Sequence, residues 1–174
     1  MSKQKINKNY EIENLTKEGK KIQTIGKQIG NKLNEEVGFN FMNGGCYLFA
    51  KTIKDILDKK GKETEYIAIG REYIEENGVP VADVLDHIVV KVKEKEKEEE
   101  IYIDADGIAT KENLEEKIIY CDGILNPVIK NNLTEEEIET KINSLKNTKT
   151  AKILEKELKK LYKKENKTKK MKNF

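Results

Sequence analysis

The most constraining feature of this chain is a pair of β-rich runs joined by unbroken charge. Asp86-His87-Ile88-Val89-Val90-Lys91-Val92 and Glu100-Ile101-Tyr102-Ile103-Asp104 flank Lys93 to Glu99, in which every residue is lysine or glutamate. β-branched and aromatic side chains suit a pleated, half-buried surface, whereas the charged stretch has nothing to bury. The pattern predicts an antiparallel hairpin with an exposed end. A turn centred at Lys95–Glu96 sets Val90 opposite Ile101, Val89 opposite Tyr102 and His87 opposite Asp104. Side chains alternate along a strand, so directly opposed residues share a face. His87 and Asp104 then meet on one face, and Ile88, Val90, Ile101 and Ile103 fill the other.

Helical spacing brackets this hairpin. Between Ile12 and Val37, Leu15, Ile22, Ile25, Ile29 and Leu33 mark one face of an amphipathic helix, which Gly19, Gly26 and Gly30 either break or adapt for close packing. Asn43-Gly44-Gly45 is a turn, and a second helix begins at Cys46, with Phe49, Ala50, Ile53, Ile56 and Leu57 on its buried stripe and Gly61 as its stop. Glu65 to Gly70 reads as a strand, and Arg71 to Leu85 as an ambiguous stretch with a loop around Gly78-Val79-Pro80. Asp106-Gly107 makes a turn, Thr110 caps a short helix to Glu116, and Lys117 to Cys121 reads as a further strand. Thr134-Glu-Glu-Glu137 is a capping box opening the C-terminal helices through Ile138, Ile142, Leu145, Ile153, Leu154, Leu158 and Leu161.

The net charge of +2 is unevenly spread: residues 163–174 carry six lysines against Glu165, leaving the rest at −3. The body therefore has no basic face for nucleic acid. The lysine-rich end is expected to be a disordered tail, with at most weak, salt-sensitive contact to RNA or DNA. The polar N-terminus lacks the apolar run of a signal peptide, and no stretch is long enough to span a membrane. Two cysteines without a secretory signal imply a reducing, cytoplasmic setting. Abundant Lys, Asn, Ile and Glu fit an AT-rich coding sequence, as in a low-GC bacterium or its phage.

His87 is the only histidine. A carboxylate beside an imidazole fixes its tautomer and stabilises the imidazolium, which suits Asp104. Cys46 is the matching nucleophile, because a helix N-terminus favours a thiolate and its N–H groups can hold an oxyanion. Asn40 and Asn43 lie close enough in sequence to add a side-chain oxyanion donor. Cys121 reads as core or turn packing, since no second histidine exists to serve it. Two cysteines and one histidine lack zinc-site spacing, and Asp104-Ala-Asp106-Gly107 matches only a fragment of a calcium loop, so neither metal nor cofactor is expected.

Gly44-Gly45-Cys46 opening a helix, then His87-Ile-Val-Val-Lys-Val, then Tyr102-Ile-Asp104, resembles the core of the papain-like and transglutaminase-like cysteine enzymes. The resemblance covers residues 40–110. It implies an α+β fold in which the cysteine helix packs on an antiparallel sheet, with helical N- and C-terminal extensions. The implied organisation is a helical region over 1–38, a catalytic core over 39–130, C-terminal helices over 131–162 and the tail over 163–174. It further implies Cys46 as nucleophile, His87 as general base and then acid, Asp104 as orienter, and Asn40 near the oxyanion position. The expected activity is acyl transfer through a thioester on a protein or peptide, a host protein included, by a peptidase, amidase or deamidase, or transglutaminase-like enzyme. The competing expectation is a non-catalytic protein-binding module, such as a phage-encoded inhibitor, that keeps the fold.

Overall fold

A computed structural model describes residues 16–42, 44–74, 77–78, 80–94, 99–122, 128–130 and 133–171. Its elements are α1 (Lys17–Val37), α2 (Cys46–Lys59), β1 (Glu63–Ile74), β2 (Pro80–Lys93), β3 (Glu100–Asp104), β4 (Gly107–Ala109), α3 (Lys111–Asp122), β5 (Val128–Lys130), α4 (Glu135–Ile142) and α5 (Lys149–Met171). The five strands form one antiparallel sheet in the order β4-β3-β2-β1-β5. The fold is thus α+β, with the cysteine helix packed on an antiparallel sheet.

Strand alternation gives the sheet two apolar faces. Tyr66, Ile88, Val90, Val92 and Ile103 join the large core, with Phe49 and Ile53 of α2, Ile22 and Leu33 of α1, and Leu154 and Leu158 of α5. Ile67, Ile69, Val89 and Tyr102 join Leu114 and Ile118 of α3 in a smaller second cluster. No helix among the described residues is long and apolar enough to cross a membrane.

The hairpin forms with its predicted faces but in a register two residues away. Val90 pairs with Ile103, Val92 with Ile101, and Lys93 with Glu100. The expected centre at Lys95–Glu96 would have set buried Val92 against Glu99, whereas the observed register gives it an isoleucine and puts opposite charges on the last rung. An even shift leaves every side chain on its face. His87 and Asp104 are therefore diagonal rather than opposed, still within side-chain reach.

Three other expectations are corrected. Lys117–Cys121 is the second half of α3, not a strand. Residues 71–85 belong mainly to the long β1–β2 hairpin, whose backbone pairing runs out to Ile74↔Pro80. The lysine-rich segment continues α5 as far as Met171 instead of forming a separate tail. Ile12 and Leu15, expected on the first helix, lie outside the described residues, as do 172–174.

α1 is unbroken, capped by Thr16 Oγ1 accepting from Gly19 N–H at 3.0 Å. Its glycines serve packing. A Cβ on Gly26 would stand 2.0 Å from the Ala105 carbonyl oxygen, so only glycine lets α1 lie against the β3–β4 turn. Gly26→Ala should destabilise the fold by about 1–3 kcal/mol through overpacking. Gly30→Ala, whose Cβ would meet Phe41 at an ordinary 3.5 Å, should be close to neutral. Urea denaturation of the two variants checks the contrast.

Candidate active site

Cys46 is the first residue of α2. The preceding Gly45 donates its N–H to the Asn40 carbonyl at 2.8 Å, and a Cβ there would fall 2.7 Å from that oxygen and 2.8 Å from Leu33 Cδ2. Glycine thus lets Asn40 and Leu33 pack closely under the helix start. The leading N–H groups of α2 belong to Cys46 and the residues just after it.

His87 stands beside a β-bulge. It pairs with Ile69, while Gly70 pairs with Leu85, so Asp86 is an extra residue in β2. Bulges re-aim neighbouring side chains. His87 Nε2 lies 2.8 Å from Asp104 Oδ2 at the end of β3, and the Cys46 thiol is close enough to the ring to favour its charged form. With Nε2 committed to Asp104, Nδ1 is the ring atom left for sulfur. The sequence-predicted trio is therefore assembled. All three are buried, with 6% of Cys46, 4% of His87 and 4% of Asp104 exposed.

α3 contributes a group that the sequence reading missed. Lys117, also buried, places Nζ 2.7 Å from Asp104 Oδ2 and 2.7 Å from Asp106 Oδ2. Asp106 N–H donates to Asp104 Oδ1 at 2.8 Å. The Asp104 carboxylate thus accepts from His87, Lys117 and a backbone N–H. Reading Lys117–Cys121 as a strand hid this. Leu114, Lys117 and Ile118 are spaced three and one residues apart, which on a helix puts Lys117 on the buried stripe.

Charge follows from these contacts. Burial alone would lower the His87 pKa, but hydrogen bonds to Asp104 and Cys46 and the charge of Asp104 outweigh it, pushing it up to about 9 against the pull of Lys117. Burial alone would raise Asp104, but Lys117 and His87 hold it well below the usual carboxylate range. Burial works against the Lys117 ammonium too, yet Asp104 and Asp106 raise its pKa.

Asn40 has its Oδ1 turned to the Met42 N–H at 2.9 Å, a local loop bond. Asn43 lies outside the described residues, as does the side chain of Cys121. A cleft of about 290 Å³ runs beside the site, lined by Gly26, Gly30, Asn40, Phe41, Ala105 and Asp106, among others. Among the described residues no group of three His, Cys, Asp or Glu is placed to hold a metal ion.

Comparison with protein-family models, with curated proteins and with solved structures gives no match to this chain. The chemistry of the site therefore rests on its own geometry.

A raised histidine pKa stabilises the fold where the imidazolium exists. This contribution is complete below the unfolded value of 6.5, declines as pH rises towards about 9, and is absent above it. Native stability should fall by about 3 kcal/mol over that window. His87→Gln should flatten the decline, as read from urea midpoints at each pH.

Proposed function

We propose that this protein is a thiol-dependent acyl-transfer enzyme of papain-like or transglutaminase-like type. The observation that carries the reading is the chain of contacts from Cys46, at the head of α2, through His87 to Asp104. A thiol, an imidazole and an orienting carboxylate in series are what nucleophilic attack on an amide or acyl carbonyl requires.

In this mechanism the proton of the Cys46–His87 pair already rests on the imidazole, in keeping with its raised pKa, and Sγ bonds the carbonyl carbon. The oxyanion is met by N–H groups at the start of α2. Collapse expels the leaving amine, which takes the proton from His87, and a thioester remains. His87 then accepts a proton from water, for hydrolysis or deamidation, or from an amine, for transfer, as that oxygen or nitrogen bonds the thioester carbon and the C–S bond breaks to return Cys46. Because Asp104 keeps its charge, the imidazolium is stabilised throughout. Asn40 is the candidate side-chain oxyanion donor through Nδ2, its Oδ1 being held by the Met42 N–H.

The cleft beside the site suits a protein or peptide segment. Asn40 borders it and accepts the Gly45 N–H next to the nucleophile, and Asp106 borders it and donates its N–H to Asp104. Gly30 leaves one wall without a side chain. A second reading, a binding module that has kept the fold without its catalysis, draws support from the 6% exposure of Cys46.

Thiol reactivity separates the two. Iodoacetamide should label Cys46 at least about ten times faster than Cys121 near neutral pH, and His87→Ala should slow Cys46 about a hundredfold. Equal, slow rates at both thiols would overturn the enzyme reading and favour the binding module. Gly30→Leu should slow labelling by a bulky peptidyl electrophile about tenfold by filling the cleft, yet leave iodoacetamide unaffected. Mass spectrometry of the intact and digested protein reads both.

A further inference from the structure

Asp104 Oδ2 faces two cationic groups at once, His87 Nε2 at 2.8 Å and Lys117 Nζ at 2.7 Å. Both side chains are only 4% exposed, as is that of Asp104. One buried carboxylate cannot compensate two buried cations, and an uncompensated charge in such a place is costly. The missing negative charge is on Asp106. Its Oδ2 lies 2.7 Å from Lys117 Nζ, and its side chain, 27% exposed, keeps contact with solvent. Its backbone N–H also fixes Asp104 Oδ1. With His87 protonated the four groups sum to zero charge; without Asp106 they would carry +1.

We propose that Lys117 and Asp106 are positioning residues for the His87–Asp104 pair: Lys117 clamps the Asp104 carboxylate in place, and Asp106 supplies the counter-charge that lets an imidazolium persist beside a buried ammonium. The groups bearing on His87 come from each element packed around it. Among the described residues they are Cys46 from α2, Asp104 from β3, Asp106 from the β3–β4 turn and Lys117 from α3. The use made of that imidazolium rests on the acyl-transfer reading; the electrostatic arrangement does not.

The two residues have opposite signs, so their removal acts in opposite directions. Lys117→Met takes a like charge away from the imidazolium and frees Asp104 for it, favouring the protonated ring. Asp106→Asn takes away the counter-charge and turns Lys117 wholly onto Asp104, disfavouring it. A merely structural role would not produce this opposition.

His87 is the only histidine of the chain, so its Cε1–H resonance in the full-length protein titrates as a single unambiguous signal. Its midpoint should lie near 9 in the native protein. It should move up by about one pH unit in Lys117→Met and down by about half a unit in Asp106→Asn. Shifts in the same direction, or no shift in either, overturn the proposal. If Lys117→Met does not fold, Asp106→Asn decides alone, its carboxylate being part-exposed, and an unmoved or raised midpoint overturns it. Iodoacetate labelling of Cys46 adds the link to chemistry, since the anionic reagent is drawn in only while His87 is protonated, so its alkaline limb should move with the midpoint. Opposite shifts in a protein whose Cys46 proves unreactive would remove the enzyme and leave the positioning pair standing. A reactive Cys46 with unmoved midpoints would do the reverse.

Discussion

The Asp104 carboxylate is the interaction on which the rest of the site depends. It ends β3, and it is reached by His87 from β2, by Lys117 from α3 and by the N–H of Asp106 from the next turn. Without it two buried cations would be left with one partly exposed carboxylate, that of Asp106 on Lys117. The relative placement of β2, β3, α3 and the β3–β4 turn is therefore tied to one side chain. The turn is pressed from outside by α1, whose Gly26 lies directly on the Ala105 carbonyl. Packing and charge fix the same few residues from two directions.

Such an arrangement is a poor investment in stability alone. Replacing a buried ion-pair cluster by apolar residues of similar volume is often neutral or stabilising, because desolvation consumes most of the attraction. A core already supplied with Ile67, Ile69, Val89, Leu114 and Ile118 on the same side of the sheet could have been extended with more of the same. Opposed charges gathered beside a thiol are what the acyl-transfer proposal draws on. The burial of His87 and Asp104 bears on their contact. In a dry environment the carboxylate–imidazole contact is electrostatically stronger than it would be in water.

The parts of this design that sequence reveals are those with a period. The alternation in residues 86–92 and 100–104 gave both faces of the hairpin, and with them the proximity of His87 and Asp104. The register was misplaced because the charged end carries no pattern to count from, and Val92 had to find an apolar partner. Cys46 at a helix start and the Thr134 capping box were legible because turn glycines and caps are local signals. Lys117 was not. Ile118-Ile119-Tyr120 has strand composition, whereas in the fold it is helical and Ile118 packs with Val89 and Tyr102. The short β4 and β5 add backbone hydrogen bonds at the two sheet edges, which leave little trace in composition.

The topology explains why the groups meet where they do. α2 belongs to the large core on one side of the sheet, and α3 to the smaller cluster on the other. Residues from these two layers would ordinarily be kept apart by the thickness of the sheet. They converge here because the site lies at the end of β3, where the β2–β3 ladder has finished at Val90↔Ile103, and beside the bulge at Asp86. Past that rung β2 and β3 are no longer paired with each other, so a thiol from one layer and an ammonium from the other can address the same imidazole–carboxylate pair. The thiol of Cys46 and the ammonium of Lys117 thus come from opposite sides of the sheet, and each can be altered without rebuilding the other.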